Sequence, residues 1–81
     1  MARVRSYVLY ASYKGRDPKC DRRLEKAAGK RSSGSGYSVM SGERDFDWEF
    51  KEKTAAKRAQ KRVQKAGKSC HVKTLVYKDD E

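Results

Sequence analysis

"RDFDWEFKEKTAAKRAQKRVQKAG", residues 44 to 67, carries two periodicities in succession. In its first part Phe46, Trp48 and Phe50 alternate with Asp45, Asp47 and Glu49, the period-two pattern of a strand with one apolar and one acidic face. Further on, Ala55, Ala59, Val63 and Ala66 recur at helical spacing under a run of Lys and Arg. The stretch predicts a strand over 45–50 and a helix over 54–66, with Thr54 as N-cap and Gly67 as its stop. The helix's buried stripe is narrow and small, so it can lie close against the three aromatics, which must enter the core.

Before this stretch, "YSVM" (37–40) reads as a strand and "SGER" (41–44) as a turn, which makes a hairpin with a glycine in its connection. "KRSSGSG" (30–36) is the one low-complexity segment and reads as a flexible Ser/Gly loop. Earlier still, Asp17 is an N-cap and Pro18 suits the first helical position, where its missing N–H costs nothing. Cys20, Leu24 and Ala27/Ala28 follow at helical spacing until Gly29. "VRSYVLYASY" (4–13) is apolar on both alternating faces, as a central strand requires. At the other end "CHVKTLVY" (70–77) is the last strand, with a frayed acidic tail at 78–81.

The expected class is therefore α+β, in the order strand, helix, strand, strand, helix, strand. With 81 residues, of which 36% are hydrophobic and 40% charged, residues 1–81 make a single small domain with a modest core. This order resembles the ferredoxin-like split βαβ arrangement over essentially the whole chain. The strand, the Ala-rich helix ending in Lys65-Ala66-Gly67 and the strand after it particularly resemble the second half of such domains. The connection rules then favour a four-stranded antiparallel sheet of order 4-1-3-2 with both helices on one face. A fold of this kind hosts many unrelated functions, so function has to be argued from the surface.

The formal net charge is +10, and it is unevenly distributed. Residues 51–69 contain eight basic groups and one acid, Glu52; residues 32–50 contain four acids and one basic group. On the second helix Lys57, Arg58, Lys61, Arg62 and Lys65 form an outer basic face, with like charges at i,i+4 that cost stability when nothing neutralises them. Arg22, Arg23, Lys30 and Arg31 form a second basic patch around the first helix. Such a field favours a polyanionic partner. Asp45, Asp47 and Glu49 belong on the opposite, open face of the sheet, where they form a candidate protein contact.

Other classes are disfavoured. An RNA-recognition module of similar topology would carry stacking aromatics on the exposed faces of its first and third strands. Here the third strand presents acids and the RNP1 pattern is absent, although Tyr7 or Tyr13 on the first strand could stack a base. The second helix is similar to the lysine-rich helix of double-stranded RNA-binding domains, yet those end there and this chain continues into a strand. No motif sets a nucleophile beside the lone His71, no glycine loop cradles a phosphate, and no catalytic residues are expected. Cys20, Cys70 and His71 fall at one end of the sheet, but their spacing matches no standard zinc site; a disulfide or a buried Cys20 thiol are the other readings, and neither metal nor cofactor is expected.

The leading expectation is a non-enzymatic module that binds DNA or RNA backbone through its two-helix basic face. The alternative is a small phage- or mobile-element-type inhibitor or adaptor, anti-CRISPR-like, that binds a host protein or nucleoprotein through its acidic strand or basic helices. The partners expected are nucleic acid or a nucleic-acid-handling host protein, with no membrane and no small-molecule substrate. A homodimer through exposed edge strands is a further option. Residues 1–13 lack the apolar run of a signal peptide, so the expected setting is the cytoplasm, including that of a host cell.

Overall fold

The computed structural model describes residues 4–80. Its elements are β1 (Val4–Lys14), α1 (Pro18–Ala28), β2 (Gly34–Ser38), β3 (Glu43–Phe50), α2 (Lys53–Ala66), a 3-10 turn (Lys68–Cys70) and β4 (Lys73–Asp80). The strands form one sheet in the order β2-β3-β1-β4, with every neighbouring pair antiparallel. Counted from the β4 edge, this succession is 4-1-3-2.

β1 is interior, paired with β3 along one edge and β4 along the other. Leu9, Ala11 and Tyr13 point to the helices and are buried together with Phe46 and Trp48 of β3, Cys20, Leu24 and Ala28 of α1, and Ala59 and Val63 of α2. One cluster holds residues of both helices, so both lie on the same face of the sheet. Trp48 is fully buried and stacks on Phe46 at a centroid distance of 5.7 Å, and its indole N–H donates to the Lys30 carbonyl at 3.0 Å. That bond satisfies the polar end of the largest core side chain.

α1 begins as its sequence predicts. The Asp17 side chain accepts the Lys19 N–H at 2.9 Å, Pro18 occupies the first turn, and Gly29 closes the helix with φ +82. α2 differs at both ends. Glu52, not Thr54, is its N-cap, without a side-chain cap bond, and Thr54 lies within the first turn. Its buried positions are Ala56, Ala59 and Val63, while Ala55 and Ala66 are half-buried. Gly67 stands at the helix end with φ −95, so it is selected by space and not by backbone angle. A Cβ there would lie 2.5 Å from Val72 Cγ1 and 2.8 Å from Leu24 Cδ2.

Three boundaries move from the expected ones. β2 is Gly34–Ser38, so the expected loop at 30–36 shrinks to four residues, and Val39 and Met40 fall in the hairpin turn. The short segment that remains is tied down: the Ser33 N–H donates to Asp47 O at 2.7 Å and the Ser32 hydroxyl to Glu25 at 3.0 Å. Small residues read as a loop because they lack side chains to pack, yet their backbones still pair. β4 starts at Lys73, because the chain first makes the 3-10 turn and then places His71 at φ +56. Residues 78–80, expected to fray, continue the β4 ladder, with Asp79 opposite Ser6 and Asp80 opposite Val4; Glu81 lies outside the described residues.

Cys20, at the start of α1, and Cys70, in the 3-10 turn, are joined as a disulfide with their Cα atoms 6.9 Å apart. Of the readings the sequence leaves open for these two cysteines, this is the disulfide. The bond ties the start of α1 to the segment following α2. No helix among the described residues is long and apolar enough to cross a membrane.

Candidate nucleic-acid interface

The helices run antiparallel, as three contacts along them show. Arg23 reaches Ser69 Oγ at 3.4 Å, Leu24 packs at Gly67, and the Arg62 guanidinium reaches the carbonyls of Ala27 and Ala28 at 2.7 and 3.4 Å. α2 lies on the sheet through Ala56, Ala59 and Val63, with Gln60 and Gln64 both donating to Thr74 Oγ1 of β4, at 3.2 and 2.7 Å. Its remaining side faces outward. Lys57, Arg58, Lys61 and Lys65 are all exposed there, and Lys53, Thr54, Lys57, Arg58 and Lys61 line a shallow depression of about 310 Å³.

The nine expected basic residues separate by role. Lys57, Arg58, Lys61 and Lys65, with Arg22 and Arg31, are exposed and have no ion pair among the described residues. Arg62 sits over the end of α1, where a cation neutralises the partial negative charge of the last carbonyls. Lys30 donates to the Glu49 carbonyl and lies 4.5 Å from the centre of the Phe50 ring. Arg23 makes the contact to Ser69 already described. These three are attached to the fold, so the basic layer is narrower than the sequence implied.

The acids of α1 and its N-cap are committed as well. Asp17 caps α1, Glu25 accepts from Ser32, and Asp21 forms the ion pair with Arg44 at 3.2 Å while also accepting from the Tyr13 hydroxyl. Arg44 continues to the Gly36 carbonyl at 3.0 Å and covers Phe46 at 4.5 Å. Burial pushes the Tyr13 phenol up from its ordinary value of 10.0, and its bond to Asp21 pushes it the same way. This network holds α1 to the sheet and withdraws Asp21 from the helix surface.

Tyr7 and Tyr13 are not stacking platforms, since both project to the helix side of β1 and Tyr13 is buried. The first-strand aromatic on the open face is Tyr10, opposite Asp47 on one side and Leu75 on the other. Asp45, Asp47 and Glu49 share that face, as their alternation predicts, and Glu43 continues the column. Leu75 (56% exposed) and Tyr77 (44%) also lie there, an apolar strip that the sequence does not assign to a face because "KTLVY" carries apolar residues in both registers. At the hairpin tip Val39 and Met40 are almost fully exposed.

Comparison with protein-family models, curated proteins and solved structures finds no match to this chain.

Proposed function

We propose that this chain is a non-enzymatic α+β module of the ferredoxin-like kind that binds nucleic acid through backbone phosphates. The element order β-α-β-β-α-β and the central β1 support the architectural reading. One observation carries the functional reading: the outer side of α2 presents Lys57, Arg58, Lys61 and Lys65 with no counter-ion among the described residues. Three close repetitions of like charge, Lys57/Lys61, Lys61/Lys65 and Arg58/Arg62, oppose helix formation and are relieved by a polyanion.

The mechanism follows from the groups available. Ammonium and guanidinium donors on a rigid helix bind phosphate oxygens and release condensed counterions, so affinity arises mostly from entropy of ion release and carries little sequence preference. Arg22 and Arg31 extend the contact across α1 and its following loop. Arg62, Lys30 and Arg23 keep these elements in place. The acidic column on the other side of the sheet repels the same ligand, so one face binds and the other does not.

Fluorescence anisotropy with labelled duplex and single-stranded oligonucleotides, repeated over a range of salt, tests the reading. Affinity should fall steeply and linearly on a double-logarithmic plot, alike for unrelated sequences. Replacing Lys57, Arg58, Lys61 and Lys65 with Gln should flatten the slope by about 3 to 4, since each lost phosphate contact contributes roughly 0.9 on B-form DNA. An affinity insensitive to salt, or unchanged in that variant, contradicts the reading.

A further inference from the structure

We propose that the open face of the sheet is a docking surface for a cationic polypeptide segment with interspersed apolar side chains. The inference concerns the face opposite the basic helices, and it stands or falls separately from the nucleic-acid reading.

Start with the charges on that face. Glu43, Asp45, Asp47 and Glu49 follow one another along β3 on the same side. Their cross-strand neighbours on β1 are Lys14, Ser12, Tyr10 and Val8, and on β2 Asp45 faces Gly36 while Asp47 faces Gly34. Only Glu43 is opposite a cation. Three carboxylates in succession therefore have no cross-strand basic partner, in a chain whose net charge is +10 and which has many cations to supply one.

The second observation is steric. A Cβ at Gly34 would lie 3.1 Å from Asp47 Oδ1, and one at Gly36 would lie 3.2 Å from Asp45 Oδ1. The edge strand is thus pared to backbone where the two carboxylates lean over it, and they stay reachable from above and from the β2 side. A solubilising acidic face has no need of bare backbone beside it.

The third is apolar. Beside the acids, Tyr10 of β1 and Leu75 and Tyr77 of β4 form a strip, with Leu75 and Tyr77 substantially exposed and Val8 buried between Glu49 and Tyr77 in the ladder. The Tyr10 phenol is raised by burial and then by the charge of Asp45, so the aromatic strip and the acidic column adjoin. An acidic column beside exposed Leu and Tyr complements Lys or Arg alternating with apolar residues, with aromatic anchors of the kind that dominate binding energy. β3 spans eight residues, so an extended segment of about that length matches it.

The probe is an acetylated, amidated peptide of four Arg-Leu repeats, titrated into 15N-labelled protein and followed by amide shifts, with a Glu-Leu peptide as control. Because the protein is strongly basic overall, nonspecific attraction works against the Arg-Leu peptide. Saturable shifts at Val8, Tyr10, Asp45, Asp47, Leu75 and Tyr77, absent with the control peptide, are expected. The Asp45→Asn/Asp47→Asn variant should bind about tenfold more weakly, and Leu75→Ser should weaken binding independently; both changes lie on the surface, and near-UV dichroism reports whether the fold is kept. No saturable shifts, shifts confined to the helices, or affinity unaltered in both variants overturn the proposal. Sedimentation of the peptide-free protein identifies the rival occupant: self-association abolished by Asp45→Asn/Asp47→Asn would mean a second copy fills this face, which also overturns it.

Discussion

The outward side of α2 and the outward side of β3 are both strongly charged surfaces, of opposite sign, and they reach that state differently. On α2 the cations crowd each other at i,i+4 around a helix held down by three small residues, Ala56, Ala59 and Val63. On β3 the acids alternate with Phe46 and Trp48, the largest fully buried side chains, and with Phe50, which the sequence expects in the core but which is only half-buried against it. The strand's charges are positioned by deep packing, whereas the helix's are positioned by a shallow seam. The comparison implies that charge can be removed from α2 without damage to the fold, while the inward residues of β3 tolerate almost nothing.

The largest effect should come from Trp48→Ala. It deletes a fully buried ring that stacks on Phe46 and anchors Lys30, at a cost of roughly 3 to 5 kcal/mol. Loss of the cooperative thermal transition in circular dichroism is expected; a native-like melt would break the claim that β3 holds the molecule together. Reduction of the Cys20–Cys70 disulfide should be nearly as severe. It closes a loop with a sequence separation of 50, worth roughly 4 kcal/mol in the chain-entropy account, so the melting temperature with reductant should drop by many degrees.

Smaller changes sharpen the contrast within α2 itself. Arg62→Ala removes the guanidinium from the last carbonyls of α1 and should cost about 1 kcal/mol in denaturant unfolding. Lys61→Gln, one residue earlier, should leave stability unchanged or raise it by a few tenths of a kcal/mol, because it relieves repulsion from Lys57 and Lys65. Equal losses from the two substitutions would erase the distinction between structural and outward cations.

The smallest effect is an alkaline one at Tyr13. Its folded pKa is raised above the ordinary 10.0, first by burial and then by its bond to Asp21. The stabilisation this represents is fully present below about pH 10 and is lost as pH rises through the folded value, where the unfolded phenol has already released its proton. Unfolding free energy should therefore decline above pH 10, and Tyr13→Phe should make that decline shallower.

Much of this was legible in the sequence for physical reasons. Period-two alternation in "DFDWEF" could only give one apolar and one acidic face, and Asp17-Pro18 with Gly29 bounded α1 through local geometry alone. What was hidden depended on neighbours distant in sequence. Gly34 and Gly36 looked like loop residues because their value lies in the carboxylates across the ladder, and Arg62 looked like Arg58 because its carbonyl partners belong to another helix. Thr54 gave a sound cap signal, yet the helix starts one residue earlier without a side-chain cap. Leu75 and Tyr77 could be assigned to a face only once the register with β1 was known.

The central claim is that the two charged faces discriminate between ligands, the helix layer taking phosphate and the sheet refusing it. Amide shift mapping of the 15N-labelled protein with a short DNA duplex at low salt tests this most directly. Shifts should concentrate at Lys57, Arg58, Lys61 and Lys65, extend to Arg22 and Arg31, and vanish as salt is raised, with Asp45, Asp47 and Glu49 unmoved. Shifts centred on the β3 face, or none anywhere, would contradict it.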